Sequence, residues 1–176
     1  MQITSGLADF MVLQRNDEGV CSATVKGTSR RDGAVLATVS LDHQPFEDFI
    51  QKEVGHAVEG TFDATIVGLP VGGPYTIQLS IASATGKWLE FCSVENVLVG
   101  DVWIMAGQSN MEGCGLLADA AEPHPLVHNF YMTDEWKVAA EPLHTLWDTV
   151  DPIHTTLRGG PSGPPVPHER GTGLGL

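Results

Sequence analysis

Val97-Leu98-Val99-Gly100-Asp101-Val102-Trp103-Ile104-Met105-Ala106 is nearly continuous in apolar residues and empties directly into Gly107-Gln108-Ser109. Its second half, Val102 to Ala106, is short and apolar on both faces. That pattern suits a strand buried on both sides, as in a parallel sheet covered by helices. Open α/β sheets place ligands and catalytic groups where such a strand ends in a small-residue turn. The run therefore marks a change of texture near Asn96 and a candidate site just beyond it.

Upstream, residues 1–95 read as an all-β unit. Ala34-Val35-Leu36-Ala37-Thr38-Val39-Ser40 is β-prone, and Tyr75-Thr76-Ile77-Gln78-Leu79-Ser80-Ile81 alternates apolar and polar more cleanly. Trp88-Leu89-Glu90-Phe91-Cys92 follows a Thr85-Gly86-Lys87 turn, which predicts a hairpin. Ala64-Thr65-Ile66-Val67 adds a short strand closed by Gly68-Leu69-Pro70. Short strands punctuated by Gly and Pro predict a β-sandwich.

Downstream, residues 96–176 are less regular. Leu116 to Ala121 suits a short helical turn stopped by Pro123 and Pro125, and Phe130-Tyr131-Met132 suits a brief strand. Arg158 to Pro165 is a loop by composition, and Gly173-Leu174-Gly175-Leu176 reads as the entry to a helix. A parallel sheet cannot be built from one strand. This second domain is therefore expected to be the incomplete start of an α/β fold.

Composition narrows the partners. Of 176 residues, 42% are hydrophobic, enough for a core, and the formal net charge of −13 repels polyanions. Nucleic acid and anionic membranes are therefore not expected as partners, whereas a neutral sugar is not penalised. No stretch approaches the ~20 apolar residues that span a bilayer. Met1 to Phe10 lacks the basic and apolar regions of a secretory signal, which favours the cytoplasm unless the true start lies upstream. Cys21, Cys92 and Cys114 are too widely spaced for a zinc pattern and odd in number, so reduced, mostly buried thiols are expected.

Ser109 has the chemistry of a candidate nucleophile. A serine hydroxyl needs a base to take its proton and donors to hold the developing oxyanion. A strand-to-loop turn exposes the side chain and aims backbone N–H groups into the same space. Gly107, without a Cβ, permits a tight approach. The logic is that of the nucleophile elbow, although Met111 stands where that pattern has its last glycine. The competing reading is an ordinary turn, with Ser109 or Asn110 capping a helix.

The fifteen residues Val99-Gly100-Asp101-Val102-Trp103-Ile104-Met105-Ala106-Gly107-Gln108-Ser109-Asn110-Met111-Glu112-Gly113 resemble the first block of the sialate O-acetylesterase family. These are SGNH-type carbohydrate esterases with a flavodoxin-like α/β catalytic domain. Met11-Val12-Leu13-Gln14-Arg15 is similar to a run in the β-sandwich that precedes that domain. Glu169-Arg170-Gly171-Thr172-Gly173-Leu174-Gly175-Leu176 is similar to the segment leading into a catalytic-domain helix. The resemblance implies hydrolysis of O-acetyl esters on a carbohydrate, without metal or organic cofactor. It makes Ser109 the nucleophile and its N–H one oxyanion donor, with Gly107, Gln108 and Asn110 shaping the turn. It also implies a further Gly, an Asn and an Asp-x-x-His base beyond Leu176, so residues 1–176 alone are expected to turn over little.

Other candidates carry simpler readings. Asp151-Pro152-Ile153-His154 fits Asp-x-x-His, but His154 follows Ser109 by only 45 positions, too few to complete a sheet between them. Pro123 and Pro125 prevent a regular helix from presenting Glu122, His124 and His128 together to a metal. His168-Glu169-Arg170 reads as a solvated loop, Trp103 as core, and Trp136 and Trp147 as candidates for stacking on a sugar ring. The alternative to an esterase is a non-catalytic carbohydrate-binding or structural module.

Overall fold

The computed structural model describes residues 1–83, 85–107, 115–144, 149–150, 152 and 170–171. The chain divides into two compact units, Met1–Val102 and Trp103–Leu176.

The first unit is a single sheet of nine strands. In chain order these are β1 (Gln2–Ser5), β2 (Val12–Gln14), β3 (Val20–Thr28), β4 (Gly33–Leu41), β5 (Gln44–Pro45), β6 (Lys52–Val58), β7 (Thr61–Pro70), β8 (Gly72–Ala82) and β9 (Trp88–Gly100). Their lateral order is β1-β3-β7-β6-β4-β8-β9-β2, with β5 paired to β4. The all-β reading of this unit holds, with one continuous curled sheet, a half-barrel, enclosing the core.

Register explains the core. Val35 pairs with Ile81, Ala37 with Leu79 and Val39 with Ile77. All six side chains are fully buried. Alternation along β4 and β8 thus places one face of each strand inside. Each fully buried large aliphatic contributes ~1.5–3 kcal/mol relative to exposure. On the other limb Cys21 pairs with Leu69, Ala23 with Ile66 and Val25 with Ala64. There Cys21 and Ala23 face larger residues while Val25 faces the smaller Ala64, so the layer interdigitates. The buried Cys21 thiol and the half-buried Cys92 thiol are both pushed above their ordinary range by desolvation.

Gly68, expected to end a strand, instead sits inside β7. Leu69 pairs with Cys21 and Val67 with Ser22, so Gly68 is left over as a bulge. Its φ of +84° is the left-handed conformation that glycine adopts at such a point. The β8–β9 hairpin forms as the sequence predicts. Its turn closes with Ser83 N–H accepted by Lys87 O at 2.8 Å and Gly86 N–H by Ser83 O at 2.8 Å.

Glu90 on β9 ties the curled sheet together. Its carboxylate accepts the Ser29 hydroxyl at 2.5 Å and the Arg30 backbone N–H at 3.0 Å. The Ser29 bond first, and then the Arg30 N–H, hold the carboxyl below its ordinary value of 4.5.

In the second unit the described elements are short. β10 (Gly115–Leu116) pairs with β13 (Arg170–Gly171), and β11 (His128–Phe130) with β12 (Trp136–Val138). The helical turn expected near residue 116 is a 3-10 turn at Leu117–Asp119. The expected strand at Phe130 is β11, shifted toward His128. A helix-covered parallel sheet is not among the described residues.

Two outcomes test this account. A Cβ at Gly27 would lie 2.2 Å from the Gln2 carbonyl oxygen and 2.3 Å from the Phe62 ring. Gly27→Ala is therefore expected to cost about 1–3 kcal/mol in urea unfolding. Glu90 has a folded pKa below its unfolded one, so its contribution is present above pH 4.5 and is lost as pH falls through the folded value. In a urea-midpoint series from about pH 6 to 3, Glu90→Gln should lie below wild type at the upper end and converge with it at the lower.

Candidate active site

The chain reaches the candidate site by leaving β9. Up to Gly100 that strand has a neighbour on each side: Val99 pairs with Gly72 of β8, and Gly100 with Gln14 of the parallel strand β2. Both neighbours end at this level. Beyond it no ladder partner remains, and residues 101–107 are not strand. Here the structure corrects the expectation of a buried strand from Val102 to Ala106. Trp103 is 85% exposed and Ile104 89%, so neither is core. The strand buried in this region is the preceding Val97-Leu98-Val99. Apolar composition was the same in both halves; the presence of neighbours differs.

Side chains take over where the ladder stops. The Arg15 backbone N–H donates to Gly100 O at 2.9 Å, the last rung. The Arg15 guanidinium then grips the Asp101 carboxylate with two contacts, Nε to Oδ1 at 3.0 Å and Nη2 to Oδ2 at 3.2 Å. Val102 N–H donates to Gln14 Oε1 at 2.7 Å. Gln14 Nε2 in turn donates to Arg15 O at 2.8 Å. Further back, Asp9 Oδ1 accepts Glu95 N–H at 2.8 Å and Met11 O accepts Leu98 N–H at 2.9 Å. The segment from Asp9 to Arg15 thus runs beside β9 as a rail and ends in this clamp.

Gly107 is exposed and outside any strand. Gln108, Ser109 and Asn110 lie outside the described residues, as do Met111, Cys114, Trp147, His154, His168 and Glu169. Backbone pairing sets Leu116 opposite Arg170 and Gly115 opposite Gly171.

The remaining candidates fall on the β11–β12 hairpin and the loop before it. Phe130 pairs with Trp136 across the hairpin, ring centroids 5.4 Å apart and planes at 47°. Phe130 is exposed and Trp136 partly so, which leaves an aromatic surface on the hairpin. Tyr131 Oη fixes the following chain by donating to Ala140 O at 3.0 Å and accepting Ala140 N–H at 2.8 Å. The Lys137 ammonium sits 2.6 Å from Glu135 and holds that carboxyl below its ordinary range. His124 Nδ1 accepts Leu126 N–H at 3.2 Å, and His128 Nε2 lies 3.1 Å from Pro125 O. These two imidazoles serve the loop's own backbone, and among the described residues no three His, Cys, Asp or Glu side chains form a metal-binding group.

Gln14 and Arg15 belong to the run Met11–Arg15 that resembles the family, but nothing in that run points to Asp101 or Val102. These partners lie 86 to 88 positions away, so only the register of β2 on β9 brings Gln14 and Arg15 to Asp101 and Val102. Among curated proteins no significant match to the chain is found. Residues 99–164 match the family model described as carbohydrate esterase, sialic acid-specific acetylesterase, the same family that the run from Val99 to Gly113 resembles.

Proposed function

We propose that the chain belongs to an enzyme that hydrolyses O-acetyl esters on carbohydrates, with Ser109 as nucleophile and residues 96–176 as part of an SGNH-type α/β domain. The family match over residues 99–164, which spans Ser109, carries this reading. The exposure of residues 103–107 supports it, because a nucleophile must be reached by a bulky acetylated sugar. A net charge of −13 leaves a neutral glycan unpenalised.

The chemistry is two-step acyl transfer. The Ser109 hydroxyl oxygen attacks the acetyl carbonyl as its proton passes to a base. The tetrahedral oxyanion is held by the Ser109 backbone N–H and further donors. Collapse breaks the ester bond, and the sugar oxygen leaves as an alcohol, taking the proton. Water then attacks the acetyl-serine ester and releases acetate. Gly107 permits the close turn, and Gln108 and Asn110 brace it by hydrogen bonding. No base is assigned among residues 1–176, so their own turnover is slow in this reading. Phe130 and Trp136 offer a stacking surface for a sugar ring.

Hydrolysis of 4-nitrophenyl acetate and of O-acetylated sialic acid or xylan, followed with and without Ser109→Ala, is the direct test. Ser109-dependent turnover should fall by about 10³-fold or more in the variant. Turnover indifferent to Ser109→Ala removes the nucleophile assignment. Glycan binding without any Ser109-dependent hydrolysis favours the binding module. Fast Ser109-dependent turnover by residues 1–176 makes His154 the base to mutate next. Separately, Trp136→Ala should weaken binding of an acetylated oligosaccharide about 2- to 10-fold in a titration, the loss expected of one stacking contact.

A further inference from the structure

We propose that Gln14 and Arg15 are positioning residues that anchor the segment carrying Ser109, through the Val102 backbone N–H and the Asp101 carboxylate. The proposal rests on Ser109 being the nucleophile.

The geometry argues for positioning over stability. Arg15 and Asp101 are 38% and 47% exposed, and half-exposed ion pairs add little to folding. Their two parallel contacts nonetheless fix orientation, because a guanidinium fork matches a carboxylate in one plane only. Gln14 is engaged at both ends of its amide, accepting from Val102 and donating to Arg15 O. Its acceptor therefore cannot swing away without breaking a second bond.

The placement is as specific as the geometry. The clamp begins where the backbone ladder ends, at the Arg15–Gly100 rung, and holds the next two residues by side chains alone. Val102 and Ser109 are seven positions apart. A chain of that length reaches at most ~25 Å from its anchor. Acyl transfer needs the attacking oxygen placed within fractions of an ångström, and a misplacement of ~1 Å costs about 10²-fold. An anchor at the base of the segment limits the arrangements that must be searched.

Hydrogen exchange on the full chain, resolved by peptide, tests the proposal without needing turnover. In Gln14→Met, which keeps the length and loses the acceptor, amides in residues 101–112 should exchange about fivefold faster or more, the effect of one lost hydrogen bond. Gln14→Glu, which retains the acceptor but loses the Nε2 donor to Arg15 O, should loosen the same peptides less. Arg15→Met should loosen the same peptides, and Arg15→Lys, which keeps the charge without the fork, should loosen them less. Peptides from β4 and β8 report the fold and should not change. Unchanged exchange across 101–112 in both Gln14→Met and Arg15→Met overturns the proposal. If either variant loses protection in β4 and β8 as well, the milder Gln14→Glu and Arg15→Lys decide by the same criterion. Where Ser109-dependent hydrolysis is measurable, kcat should fall with KM unchanged, and unchanged kcat in both Met variants also overturns the proposal. Absence of Ser109-dependent hydrolysis in every protein, wild type included, counts against the esterase reading and leaves the exchange result standing.

Discussion

A strand exists only as far as its neighbours do, and β9 loses both at Gly100. The β8 partner stops at Gly72 and the β2 partner at Gln14, within one residue of each other. Everything distinctive about this end of the molecule follows from that double termination. Backbone N–H and C=O groups beyond it have to find other partners. One of them, the Val102 N–H, finds its partner in the Gln14 side chain of the strand that has just ended, and the chain then runs on exposed. The point at which the sheet stops feeding its strand is thus also the point at which the chain leaves the sheet for the exposed residues 103–107.

The interior that supports this edge is assembled from pairs, not from any one large side chain. β4 and β8 meet aliphatic to aliphatic in register, whereas Cys21, Ala23 and Gly27 of β3 meet the larger Leu69, Ile66 and Phe62 of β7, and Val25 meets the smaller Ala64. Gly27 opposite Phe62 is the extreme case: the ring occupies the space where a Cβ would be. Bulk on one strand is matched by its absence on the next, which allows a sheet to curl tightly without leaving voids.

Those same pairs decide what a reader of the sequence sees. β4, β8 and the start of β9 were legible because β-branched and aromatic residues alternate along them. β3 was not, because its inward side chains are mostly small and carry little hydrophobic signal. β6 was missed for the opposite reason: Lys52, Glu53 and His56 face solvent, and Gly55 breaks the pattern. Val102 to Ala106 misled because composition reports a wish for burial and not the availability of a partner strand. Ser109 stood out through a local motif. Gln14 and Arg15 lie in a run with a family resemblance, but their contacts to Asp101 and Val102 exist only through a pairing formed across the length of the first unit.

That long-range pairing bears on how the molecule is made. β2 is synthesised near the beginning of the chain, yet its rail partner spans residues 98–100. During vectorial synthesis the early strand must wait, unpaired, for nearly the whole first unit to emerge. Contacts of such sequence separation slow the approach to the native state. The β2–β9 pairing spans more of the chain than any other strand pair of this sheet, so this edge cannot close until the last strand of the first unit has emerged.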